Sequence, residues 1–166
     1  TAGHWEADLM AFARYGQNIL VAHERRSRFL IIARQPTKQA ARVASRLAQW
    51  LEVLPPELRR SITFDNGTEF AEHYRLNAEP GIKTYFCDPH SPWEKGGVEN
   101  AIGRMRRPLP RKTDLATLPP KALQTVAARY NATPRKCLAW KTPAEAFYKA
   151  KALHFKCEST SRLSPG

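Results

Sequence analysis

The spacing of apolar positions changes several times along the chain, and each change marks an element. His4 to Met10 alternates weakly and reads as a strand. Ile19 to Ala22 and Phe29 to Ala33 are short unbroken apolar runs rich in β-branched residues, with the polar Glu24-Arg25-Arg26-Ser27-Arg28 between them. That pattern predicts two buried strands joined by a hairpin turn. From Ala40 the period lengthens. Ala40, Val43, Ala44, Leu47, Leu51 and Leu54 recur at helical spacing, with Arg42 and Arg46 between them. The segment is an amphipathic helix with Thr37 as its predicted N-cap and Pro55-Pro56 as its stop.

Ser61 to Phe64 and Lys83 to Cys87 read as two more strands. Gly96-Gly97 precedes a helical stretch from about Val98, and Leu123 to Tyr130 starts another helix after Pro119-Pro120. Pro108, directly after Arg106-Arg107, predicts an early stop or kink in the first of these helices. Beyond Phe147 periodicity fades. Residues 1–150 therefore read as one domain and 151–166 as a loosely ordered tail. Three hairpin-joined strands followed by strands added through helical crossovers give an α/β mixed five-stranded sheet with helices on both faces. That is the element order of the ribonuclease H-like fold.

A chain of 166 residues with 42% apolar content and four tryptophans has the material for a packed core. Trp5, Trp50 and Trp140 are assigned to that core, and Trp93 to packing under a loop. The longest apolar run is five residues, which excludes a bilayer-spanning helix and a membrane partner of that kind. Lysine and arginine number 27 against 15 acidic residues, a net charge of +12, which points to a polyanionic partner and to nucleic acid first. A basic surface kept only for solubility is the competing account. Cys87, Cys137 and Cys157 are odd in number and form no Cys-x-x-Cys pair, which argues against structural zinc and for a reduced, cytoplasmic setting. The opening Thr1-Ala2-Gly3, without an initiator methionine, reads as the start of a piece cut from a longer protein.

Two carboxylates fall on predicted strands. Asp8 lies inside the first, in "HWEADLM", and Asp65 closes the fourth, in "ITFDNGTEF". If those strands are neighbours, the carboxylates meet at one end of the sheet, although Asp65 beside Asn66-Gly67 also suits a plain turn former. Glu6 competes with Asp8, because residues i and i+2 share a strand face, and spacing does not choose between them. In "SPWEKGGVENAIGRMRR", Glu94 lies in a loop, whereas Glu99 is fixed just inside a helix. Ile102, Gly103 and Arg106 follow on or near the face of Glu99, so that Gly103 leaves room for a phosphate backbone and Arg106 meets it. Three carboxylates crowded together repel one another unless a cation joins them. Oxygen-only ligands favour Mg²⁺ or Mn²⁺, and two such ions about 3.5–4 Å apart would activate an attacking hydroxyl and stabilise a leaving oxygen at phosphorus.

"GHWEADL", "FDNGTEF", "YFCDPHSPWEKGGVENAIGRMR" and "NATPRKCLAWKTPAEAF" resemble, in order and spacing, the catalytic core of the bacterial insertion-sequence-thirty family of DDE transposases, from Gly3 to about Phe147. The resemblance implies an acidic triad of Asp8, Asp65 and Glu99 that is both catalytic and metal-binding. The 33 residues between Asp65 and Glu99 match the family spacing, which favours Glu99 over Glu94 and Asp8 over Glu6. It also implies a basic residue at the place of Arg106, a candidate DNA contact; Arg104, Lys95, Asn66 and His90 are further candidates, with His90 reading equally as the cap of a turn. Mg²⁺ or Mn²⁺, two ions with DNA bound, would serve cleavage at the element ends and joining to target DNA. A homo-oligomer assembled on DNA in the bacterial cytoplasm is the implied working form, and the family's N-terminal helix-turn-helix is missing from this stretch. Two other functions compete: a ribonuclease H-like nuclease and a DNA-binding relic without turnover. The segment after Gly97 and "WKTPAEAF" argue against the first, and the intact triad against the second.

Overall fold

A computed structural model describes residues 1–78, 81–88 and 96–151. Its strands are β1 (His4–Ala11), β2 (Asn18–Glu24), β3 (Leu30–Arg34), β4 (Ser61–Phe64) and β5 (Lys83–Phe86). The helices are α1 (Ala40–Glu52), α2 (Tyr74–Ala78), α3 (Gly96–Met105) and α4 (Ala122–Asn131), and residues 143–151 form α5. Apart from Lys151, the tail expected over 151–166 lies outside the described residues.

The sheet runs β3-β2-β1-β4-β5. The first three strands pair antiparallel, and β4 and β5 are added in parallel. This is the mixed five-stranded sheet the sequence predicts. Side chains alternate across each strand, so one face carries Trp5, Ala7, Leu20, Ala22, Ile62 and Phe64 into a core with α1. The other face carries Met10, Ile19 and Val21 into a second core with Val98, Ala101 and Met105 of α3 and Tyr130 of α4. β2 is buried along its whole length, as a central strand covered on both sides must be. Burial costs nothing unmet at its charged end. The carboxylate of Glu24 accepts from the backbone N–H of Gly3 at 3.0 Å, from that of Ser27 at 2.6 Å and from the Ser27 hydroxyl. Gly3 is required there, since its φ is +95° and a Cβ would meet the Glu57 carbonyl oxygen at 2.3 Å.

Four local expectations resolve differently. Thr37 is not the N-cap of α1, which begins after Gln39; the Thr37 hydroxyl accepts instead from the Gln39 N–H at 2.9 Å in a short turn outside the helix. α3 includes both glycines rather than starting at Val98. It does stop early, at Met105, with Pro108 in the turn that follows. Trp5 is fully buried with its indole N–H on the Leu58 carbonyl at 2.8 Å, and Trp50 packs partly against the core. Trp140, by contrast, is 70% exposed, because Ala139 and Trp140 take left-handed φ values of 52° and 65° in a turn that carries the ring outward.

The outer strand β3 is closed by a side chain. Asn131, at the end of α4, accepts from the Leu30 N–H at 2.9 Å and donates to the Leu30 carbonyl at 2.8 Å. The amide thus takes the place of another strand on this edge. Asn131→Ala leaves two buried backbone groups of Leu30 unpaired, which costs roughly 2–3 kcal/mol. A urea midpoint measures it. Thr133→Ala, on an exposed side chain of the same segment, is expected to shift stability by less than about 0.5 kcal/mol. Equal midpoints for the two variants would show that Asn131 closes nothing.

Candidate active site

Asp8 and Asp65 come from neighbouring strands. Parallel pairing sets His4 beside Ser61, Trp5 beside Ile62 and Glu6 beside Thr63. The same offset carries Asp8, inside β1, level with Asp65, which directly follows β4, and the two backbones lie about 4.8 Å apart. Alternation turns Asp8 to the face that α3 covers, because Trp5 and Ala7 point to the α1 side. Both carboxyls are half-buried. One oxygen of Asp8 accepts from the Leu9 N–H at 2.7 Å, and one of Asp65 from the Gly67 N–H at 3.1 Å. Asp65 thus makes the turn contact that the Asn-Gly sequence suggests.

Glu99 is exposed in the first turn of α3. What locates it is its neighbour. The Val98 N–H donates to Glu6 Oε2 at 2.7 Å, tying the start of the helix to β1 two residues before Asp8. Glu6 is buried, and its other oxygen meets Arg25 Nε at 3.1 Å. Burial raises the pKa of this carboxyl, against the opposing pull of the Val98 N–H and Arg25. Gly97 permits the approach: a Cβ at that residue would lie 2.7 Å from Glu6 Oε2 and 3.0 Å from the His23 ring. Glu6, read from the sequence as a rival ligand, is thus the anchor of the helix that carries Glu99. Its position on the same strand face as Asp8 was the signal available. Among the described residues no three His, Cys, Asp or Glu side chains stand as a cluster able to hold a metal ion. Asp8 and Asp65 are level, and Glu99 follows the residue whose N–H binds Glu6.

The basic residues divide. Arg106 is held by the fold: its Nη2 donates to the Ala11 carbonyl at 2.7 Å and its guanidinium lies 5.0 Å from the centre of the Phe12 ring. Arg104 projects from the other side of α3, with Nε donating to Asn100 at 2.9 Å. Asn66 donates to the Cys87 carbonyl at 3.0 Å and so links the ends of β4 and β5. Lys95, His90, Glu94 and Trp93 lie outside the described residues. Sequence reading missed His23. It is the last but one residue of β2, is only 1% exposed, and its Nδ1 has no hydrogen-bond partner. A polar residue directly after the apolar run Ile19 to Ala22 was the clue.

No protein-family model matches the chain. The transposase InsI for insertion sequence element IS30A of Escherichia coli (strain K12) is 42% identical over 151 residues, which are 91% of this chain and 39% of that protein. The transposase for insertion sequence element IS1086 of Cupriavidus metallidurans is 40% identical over 141 residues, 85% of this chain and 42% of that one. The chain thus spans about two fifths of the length of these relatives. Among solved structures, the catalytic core domain of BIV integrase matches with a TM-score of 0.71 and 21% identity, covering 93% of this chain and 99% of that one. With the strand order above, this makes the fold ribonuclease H-like.

Burial, with Arg28 and Arg135 nearby, lowers the pKa of His23 from 6.5 to about 3. The folded state therefore binds this proton less readily than the unfolded chain. Stability contributed by the neutral ring is complete above pH 6.5 and is lost as pH falls from there towards 3, at up to roughly 1.4 kcal/mol per pH unit. His23→Gln removes the titration. Between pH 6 and 4 the parent is expected to lose stability relative to this variant, as read from urea unfolding at each pH. Parallel curves would mean that the ring protonates freely in the folded protein.

Proposed function

Over the segment it shares with them the chain belongs with the insertion-sequence-thirty transposases, and we propose that it cleaves and joins DNA strands in metal-dependent transposition, with Asp8, Asp65 and Glu99 as the reactive carboxylates. The observation that carries this reading is the Glu6–Val98 bond, which holds the first turn of α3 to β1 beside Asp8 while β4 brings Asp65 level with it. The donors fit the cation: all three are carboxylates, the ligand type that suits Mg²⁺ or Mn²⁺ and not a soft metal. A pair of such ions, when bound with DNA, supplies Lewis acidity at phosphorus.

The chain's own residues do the rest. Asp8 and Asp65 sit on central strands whose positions the two cores fix on either side, so their carbons are placed before any ligand arrives. Glu99 is exposed on a helix tied to β1, and with Asp8 and Asp65 it would hold the cations when they are bound. The net charge of +12 draws the DNA backbone in, mostly without regard to sequence. No side-chain general base is required. The element ends and target DNA are the substrates of this reading, and an assembly of several copies on DNA is its working form.

Nicking of supercoiled DNA with Mn²⁺ tests the chemistry, and joining of a pre-cleaved end to a target separates a transposase from a nuclease. Glu99→Gln is expected to abolish both, while Glu94→Gln stays within a few-fold of the parent. Equal losses would make Glu94 a ligand. Absence of nicking in the parent with intact DNA binding would identify a relic.

Melting curves give a second test. Mn²⁺ binds the folded site and is expected to raise the parent's melting temperature by mass action, and that of Asp65→Asn much less. An equal gain in both would leave Asp65 as the turn former alone.

A further inference from the structure

α3 has two flanks. At about 100° per residue, Glu99, Ile102 and Arg106 fall on one side of the buried stripe of Val98, Ala101 and Met105. Gly97, Asn100 and Arg104 fall on the other, and there they line a cavity of about 260 Å³ together with His23, Arg28 and Arg135. Three arginines converge on this space, and among the described residues no carboxylate lines it. Neighbours elsewhere occupy them only in part: Arg135 stacks 4.4 Å from the Tyr130 ring centre and donates to the Tyr130 carbonyl at 3.3 Å, and Arg104 meets Asn100. The buried His23 ring forms one wall, with Nδ1 unpartnered and turned to the side of Gly97 where a Cβ is missing, a point that also lies 2.7 Å from Glu6 Oε2.

Arg28 also acts on the buried Glu6 carboxylate, which the Val98 N–H and Arg25 already engage; three cations around a buried imidazole with an unmet nitrogen still leave an excess of positive charge and make a site for an anion. From this arrangement we infer that the cavity is a phosphate site that takes a backbone phosphate of DNA, on the flank of α3 away from Glu99. The assignment rests on the reading of the chain as a DNA-acting core. A strand of phosphates fits better than a single free one, because the cavity does not end there. A neighbouring cleft of about 490 Å³ between α3 and α4 shares Arg104, Tyr130 and Arg135 with it and adds Arg107 and Arg129. The two together form an arginine-lined track, as a polyanion needs. One helix would then touch DNA on both sides, with its carboxylate flank at the reacting phosphorus and its arginine flank on a neighbouring stretch of backbone.

The test is made on the full chain without divalent metal, so that it reads binding and not cleavage. Inorganic phosphate, and separately a DNA duplex, are titrated while the imidazole resonances of His23 are followed by NMR. Two variants accompany the parent. Arg28 has a φ of +64°, so Arg28→Gly removes the cation and suits the backbone it leaves. Arg135→Gln removes a second cation by a different route, and melting temperatures check that both fold. Saturable shifts of His23 with both ligands, lost in the variants, are the expected result, with a salt slope for duplex binding lower by roughly one in each variant. A shift with phosphate and none with duplex would overturn the DNA assignment in favour of free phosphate. No shift with either ligand, or variants that respond as the parent does, would overturn the site itself. Nicking by the parent in the presence of Mn²⁺ is unaffected by either failure and reports on Asp8, Asp65 and Glu99 alone.

Discussion

A single hydrogen bond from the Val98 N–H to the buried Glu6 carboxylate is the constraint on which the arrangement at the sheet end depends. A carboxylate with 2% exposure is costly unless its oxygens are met. Here one oxygen takes the first turn of a helix and the other takes Arg25. The contact is specific because it needs a residue without a side chain at Gly97, where any Cβ would strike both Glu6 and His23. It also fixes two things at once. Glu99 follows Val98 directly on the helix so bound to β1, while the opposite flank of α3 is carried against His23 and the arginines around it.

The two-residue period of β1 sorts these tasks. Trp5 and Ala7 enter the core beneath α1, and Glu6, Asp8 and Met10 take the face beneath α3. Along that face the roles change within five residues, from anchoring at Glu6 to candidate chemistry at Asp8 to packing at Met10. A slip of one residue in the β1–β4 register would exchange the faces and put the anchor into the α1 core. The pairing of Glu6 with Thr63 on one side and His23 on the other makes such a slip expensive, since both cores would have to be undone with it.

Most of the fold was legible because it is written in periodicity. The whole-strand burial of β2, the helical spacing of Val43, Leu47 and Leu51, and the stop at Pro55 are local patterns whose physical cause lies within the segment. The cap of α1 was misread because a threonine three residues upstream has a turn of its own to serve. Trp140 was misread because size and aromaticity say nothing of a left-handed backbone that turns the ring away. The site divides in the same manner. Asp8 within one strand and Asp65 at the end of another were readable as level carboxylates, since parallel neighbours bring equal positions together. Glu6 and His23 were not, because their roles depend on a helix more than seventy residues further along the chain.

The distribution of positive charge follows from the same packing. Arg106 meets the end of β1 through the Ala11 carbonyl and the Phe12 ring, so part of its bonding capacity is spent inside the protein. Burial, with Arg111 close by, lowers the pKa of its guanidinium. A cation held in this way is a rigid one, with little rotamer freedom left to lose when an anion arrives, whereas an exposed lysine loses most of its freedom on binding. The arginines on the other flank of α3 are arranged differently: Arg135 lies against the Tyr130 ring and Arg104 against Asn100, each set by a neighbour that leaves its charge uncancelled. A basic surface maintained only for solubility has no need to immobilise its cations against buried groups. That both flanks of one helix do so argues for anions on both, and it ties the +12 charge to particular geometry more closely than composition does.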